Sequence, residues 1–294
     1  MFSYPVKELS EIVSTIIEQH VNNATLNWLQ EKIQGNLPLT QFNAAFVMMP
    51  RKTGKAEIAI NDSVRRDLDR IYPGLSFEGW TVDRLCRVWL LMNRDSTNEN
   101  QYVAAIENLF LAADVNELVA LYSALPLLAY PERWKARCAE GVRSNIGDVG
   151  IAVICNNPYP ATWLDDHAWN QLVMKAIFTD KPVDQIYGLD RRANVELANI
   201  LLDYAHERWA AGRSLNPQLW RCVGKFIDEN NFSDIERIGN SNDPLERKAS
   251  ALACYSSNYQ MAKEWLNNHK DLKNAIENKT LTWSSLAANM TIAG

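Results

Sequence analysis

No stretch of this sequence stays apolar long enough to cross a bilayer. The longest apolar run, 118–129, is interrupted by Ser123 and Pro126, whereas a membrane span needs roughly 18 uninterrupted apolar residues. Met1 to Glu8 lacks a basic segment followed by an apolar one, so no secretion signal is read there. Cysteine is sparse: Cys86, Cys138, Cys155, Cys222 and Cys254 are scattered, odd in number and free of any CxxC spacing. That excludes a disulfide framework and suits buried, reduced thiols in a cytosol. Neither sign of charge dominates, with 30 Lys and Arg against 35 Asp and Glu. The basic clusters Arg51-Lys52 with Lys55 and Arg65-Arg66 are short and balanced by nearby acids, so nucleic acid is not an expected partner. Enzyme signatures are missing too. Arg51-Lys52-Thr53-Gly54-Lys55 has neither the upstream glycine nor the following Ser/Thr of a phosphate loop, and there is no GxGxxG, HExxH or GxSxG. No cofactor is implied.

What remains is a soluble globular composition, 47% hydrophobic and 22% charged over 294 residues, enough to bury a large core. Helical periodicity dominates. The segment 8–33 places Ile12, Ile16, Ile17, Val21, Leu26 and Leu29 near helical spacing, with a break at Asn22-Asn23. Residues 50–60 read as a loop before a helix at 61–71, and a further helix starts at Thr81. Beyond it, helices are predicted over 98–113, 115–128, 131–145, 165–179, 192–212, 217–229, 232–240, 244–256 and 259–268, divided by Pro, Gly, Asn or Asp. Strand signals are nearly absent, so the chain is expected to be all-α. The starts Pro131-Glu132-Arg133-Trp134 and Pro244-Leu245-Glu246-Arg247 both put Pro first, then basic, then small apolar residues. Pro suits a first helical turn, and Asp243 suits the N-cap. The pattern is reminiscent of HEAT-like helix pairs and points to a helical-repeat, α-solenoid-like architecture. The expected organisation is an N-terminal helical region (1–95), a helical core (96–230) and C-terminal HEAT-like helices (231–294), as one continuous domain.

Polar groups concentrate in 143–221 beyond what amphipathic helices need. Asp203 and His206 are three apart and share a helical face, with Asn199 a turn earlier. An acid and a His at this spacing occur as metal ligands, but such sites want a second motif and further Glu residues. A hydrogen-bonded His tying two helices together is the commoner outcome, and no metal ligand is assigned. Asp165-Asp166 fits helix capping. Asn170 and Gln171 flank the apolar stripe Trp169, Leu172, Val173, Ala176 and Ile177. Their amides would bond exposed backbone such as the turn at Asn156–Pro160, or orient a small ligand. Arg143 and Asn145 fit a helix C-terminus; with Arg192, Arg208 and Arg213 they are alternatively an anion site. Trp134, Trp163, Trp169, Trp209 and Trp220 are expected mostly in the core.

Five segments of this block, Arg143-Ser144-Asn145, Asn157-Pro158-Tyr159-Pro160-Ala161, Ala168 to Ala176, Gly188 to Asn194 and Asp203 to Arg213, resemble the EboA family of metabolite-traffic proteins. The N-terminal third and the tail after Phe226 carry no comparable signature. The resemblance implies a bacterial cytoplasmic protein, at the inner face of the membrane, from the ebo gene cluster. That cluster is linked to moving secondary-metabolite precursors, such as the scytonemin precursor, to the periplasm. Implied partners are a small secondary metabolite or other products of the cluster, including a prenyltransferase-type membrane protein. No catalytic residue is carried over. The expected ligand-binding residues are Arg143, Asn145, Asn170, Gln171, Asp203, Tyr204, His206, Glu207 and Arg208. The leading expectation is a non-enzymatic adaptor or small-metabolite-binding protein. Its rivals are a metal-assisted enzyme acting on an aromatic or isoprenoid metabolite through Asp203, His206 and Glu207, and a purely structural subunit of a membrane-associated complex.

Overall fold

The chain is all-α in a computed structural model that describes residues 1–34 and 37–292. Among the described residues there is no strand, only one isolated antiparallel bridge between Glu57 and Thr81. No helix among them is long and apolar enough to cross a membrane. The residues cluster into two compact units, Met1–Asp165 and Asp166–Gly294.

The first unit contains α1 (Val6–Glu18), α2 (Asn23–Gln34), α3 (Leu39–Thr53), α4 (Asp62–Ile71), α5 (Val82–Met92), α6 (Glu99–Ala112) and α7 (Val115–Ser123). After two short 3-10 turns come α8 (Lys135–Arg143), α9 (Gly147–Ile154) and α10 (Tyr159–Trp163). Its centre is α5, which packs against α1, α2, α3 and α7. Every residue of α5 except Arg84 is buried, because a helix that is apolar nearly all round is stable only inside a core. Short side chains cap the surrounding helices. Asn61 accepts from the Val64 amide at 3.0 Å, and Asn98 from the Gln101 amide at 3.1 Å. Asp114 and Glu117 exchange bonds in a capping box that starts α7. Gly141 admits α9: a Cβ there would lie 2.6 Å from both Tyr122 Cε1 and Val153 Cγ2.

The second unit contains α11 (Asp166–Phe178), α12 (Leu189–Arg192), α13 (Val195–Ala210), α14 (Trp220–Val223), α15 (Phe232–Gly239), α16 (Pro244–Ser256), α17 (Gln260–Asn268), α18 (Lys270–Glu277) and α19 (Trp283–Ile292). Its centre is α16, whose buried run Ala249-Ser250-Ala251-Leu252-Ala253-Cys254 lets α14, α15, α17, α18 and α19 approach closely. Asp243 caps it, accepting from the Leu245 amide at 2.8 Å, with Pro244 in the first turn.

Several sequence expectations need correcting. Residues 50–53 belong to the last turn of α3 rather than to a loop; near a helix end Pro removes one ladder bond without breaking the body of the helix. The helix predicted over 131–145 starts as a 3-10 turn, Pro131–Trp134, with Tyr130 left-handed at φ 55°, before α8 takes over. The helix predicted over 192–212 starts three residues later, at Val195, because Asn194 turns extended and caps α13 by accepting from the Leu197 amide at 2.9 Å; Arg192 instead ends the short α12. The helix predicted over 217–229 breaks into α14 between two 3-10 turns.

Candidate functional site

The predicted site residues divide between the two units. In the first, Arg143 ends α8, where a cation complements the negative end of the helix dipole. It borders a depression of about 420 Å³ with Phe110, Tyr122, Arg137 and Glu140. Charge there is already matched, since Arg137 pairs with both Glu107 and Glu140. Asn145 follows α8 on the exposed connection to α9.

In the second unit the remaining residues resolve into separate structural pairs. Asn170 is buried, and the Asn194 amide donates to its oxygen at 2.9 Å. That bond holds Asn194 where it caps α13, so Asn170 supports a helix start. In the first unit, Asn157 of the turn at 156–160 donates to the Ala152 and Tyr122 carbonyls and accepts from the Tyr159 amide at 3.0 Å. Gln171 is exposed and bonds His167 one turn away at 2.9 Å. On α13, Asp203, His206 and Glu207 are exposed and Tyr204 is half-buried. His206 bonds Asp234 of α15 at 2.8 Å, and Arg208 donates twice to the Ser214 carbonyl, closing the loop after α13. No group of three or more His, Cys, Asp or Glu that could hold a metal ion occurs among the described residues. Trp134, Trp169 and Trp220 are fully buried, while Trp163 and Trp209 are half-buried. The five cysteines are buried, and burial pushes the Cys222 and Cys254 thiols up to about 12.

The concentration of buried charge lies elsewhere, on and around α5. Arg87 is 1% exposed and reaches Asp83 Oδ2 at 2.7 Å, the Phe46 carbonyl at 3.0 Å and Glu117 Oε1 at 3.7 Å. The second Asp83 oxygen accepts from the Thr81 hydroxyl at 2.6 Å. Both carboxylates are therefore committed to partners, as buried charges must be.

Asp83 of this network also lines a cleft of about 350 Å³, a size that suits a small molecule. Three helices open on it with their first turns: α5 through Thr81 and Arg84, α7 through Asn116, and α9 through Asp148. The bridge at Glu57 and Thr81 pins the chain after α3 alongside, with the Ile58 amide on the Trp80 carbonyl at 2.9 Å, which carries Lys55 to the rim. Gly79, at φ 70°, makes the left-handed turn that delivers Trp80 and Thr81. Arg84 is the decisive side chain. Its Nε and Nη2 donate to Ser123 Oγ at 2.9 and 2.6 Å, and its guanidinium lies 4.1 Å over the Trp80 ring. Burial pushes its pKa down to about 10, so it remains cationic at neutral pH. It has no ion-pair partner among the described residues, and its Nη1 makes no hydrogen bond among them, although the residue lines the cleft.

Lys55, Thr81, Arg84, Asn116 and Asp148 are not among the residues expected from sequence to bind a ligand. A signal was present: Val82-Asp83-Arg84-Leu85-Cys86-Arg87-Val88-Trp89-Leu90-Leu91-Met92 sets three charges in a run otherwise apolar enough to be buried on every side.

Fold and cleft together define an all-helical protein with a charged, small-molecule-sized cleft built over a buried ion network. The family model described as "Metabolite traffic protein EboA" matches residues 9–224, and the chain belongs to the EboA family. Metabolite traffic is thus its general role. The match runs through α5 and its cleft, well N-terminal of the block that carried the resemblance, and stops before α15. No match was found among curated proteins or among solved structures.

Proposed function

We propose that this chain is a non-enzymatic, small-metabolite-binding protein that carries a secondary-metabolite precursor in the cytoplasm and passes it to a partner at the inner face of the membrane. The partner in this reading is another protein of the ebo cluster, the prenyltransferase-type membrane protein among them. One observation carries the proposal: Arg84, held by Ser123 and Trp80 and without an ion-pair partner among the described residues, lines a cleft that also takes in Asp83 of the buried ion network. A preformed donor of this kind supplies orientation and affinity without a reaction, because its geometry is fixed before the ligand arrives.

The proposal puts the ligand at the α5 cleft, and gives Asn170, Gln171, Asp203, Tyr204, His206, Glu207 and Arg208 structural or partner-facing roles. The test is equilibrium dialysis of the full chain against a metabolite extract from producing cells, read by mass spectrometry. A small molecule should be retained at unchanged mass and lost in Arg84→Gln. Retention equal in both proteins, or conversion to a product, would overturn the proposal.

A further inference from the structure

The charges lining the α5 cleft also specify what kind of molecule fits it. Arg84 offers a guanidinium on one wall, and exposed Lys55 stands at the rim. Asp148, in the first turn of α9, offers a carboxylate on another wall. Arg84 and Asp148 feel each other electrostatically, yet they form no ion pair within 4.0 Å. Neither Lys55 nor Asp148 has a hydrogen-bond or ion-pair partner among the described residues. The other acid of the lining, Asp83, has both oxygens occupied by Thr81 and Arg87. The cleft therefore holds opposite charges that face one space without neutralising each other. Val119 and Ile151 add an apolar wall.

A purely anionic ligand would satisfy Arg84 and be repelled by Asp148; a purely cationic one would meet the reverse. A molecule carrying both an acid and an amine satisfies both. We infer that the α5 cleft binds a small zwitterion, an apolar free amino acid or a metabolite retaining a free amino and a free carboxyl group. The carboxylate sits on Arg84, where the first turns of α5 and α7 add their positive ends. The ammonium sits on Asp148, and the apolar side chain lies on Val119 and Ile151. This inference rests on the proposed binding role and narrows it to one ligand class.

The test is a thermal-shift screen of the full chain with the free L-amino acids. It is followed by calorimetric titration of L-leucine and L-phenylalanine, their amides and their N-acetyl derivatives, with inorganic phosphate and acetate as anion controls. Blocking either end should weaken binding at least about tenfold, as expected for loss of one charge-assisted contact. Asp148→Asn, at an exposed position, should weaken the free amino acid by a similar factor, while its N-acetyl derivative, a pure anion relieved of the Asp148 charge, binds no more weakly than before. The inference is overturned if no free amino acid binds, if Asp148→Asn has no effect, or if phosphate or acetate binds as tightly. Arg84-dependent retention of a non-zwitterionic metabolite in dialysis would overturn this inference and leave the carrier proposal standing. Absence of any retained metabolite would remove both.

Discussion

Two polar regions of this molecule carry similar residues and use them in opposite ways. Around α5, Asp83, Arg87 and Glu117 are buried together and bonded to one another, beside a cleft whose Arg84 has donors left over. Along α13, Asp203, His206, Glu207 and Arg208 occur in dense sequence order, yet most face solvent, and their bonds go to neighbouring chain. Density in sequence is therefore a poor guide to density in space. A helix disperses adjacent residues around its circumference, whereas charges three or four apart in an apolar helix are driven inward as a group and must find partners there.

The sharpest way to break this comparison is to remove one buried charge. Arg87→Ala should cost about 3–5 kcal/mol in urea unfolding, because Asp83 and Glu117 would stay buried without their counter-ion. The triple replacement Asp83→Leu, Arg87→Met, Glu117→Leu should recover most of that loss; if it is as damaging as the single change, the network is not the cause. A smaller effect is expected at the second unit's buried amide pair. Asn194→Ala removes the α13 cap and leaves Asn170 unsatisfied, a loss of about 1–2 kcal/mol by the same assay. At the cleft, Arg84→Gln should leave the melting temperature nearly intact but reduce ligand affinity at least about tenfold, roughly 1.4 kcal/mol. Smallest of all, His206→Ala should change unfolding free energy by no more than about 0.5 kcal/mol, since its bond to Asp234 is at the surface and His206 is 55% exposed. A large loss there would mean that the α13 face is a structural centre after all.

Much of the fold was legible from period and punctuation. The all-helical class, the Asn22-Asn23 break, and the starts at Asn98, Asp114 and Asp243 follow from local chemistry that each residue applies to its own turn. Helix lengths were less legible. The start of α13 is set by Asn194, which is held in its capping position by the Asn170 bond, and that bond comes from another helix. The functional region was the least legible. Arg84 reads as an ordinary polar residue on α5 until the bridge at Glu57 and Thr81, the start of α7 and the start of α9 come together around it. These partners are tens of residues away, and no local spacing encodes them. The family resemblance pointed to the right family from 143–221, while the match from residue 9 shows that the first unit belongs to it as fully.

The central claim is that the α5 cleft, and not the α13 face, receives the metabolite. The most direct test is parallel dialysis of wild type, Arg84→Gln and the triple variant Asp203→Asn, His206→Ala, Glu207→Gln against the same metabolite extract. Wild type and the α13 variant should retain the same small molecule, and Arg84→Gln should not. Retention by Arg84→Gln with loss in the α13 variant would contradict the claim.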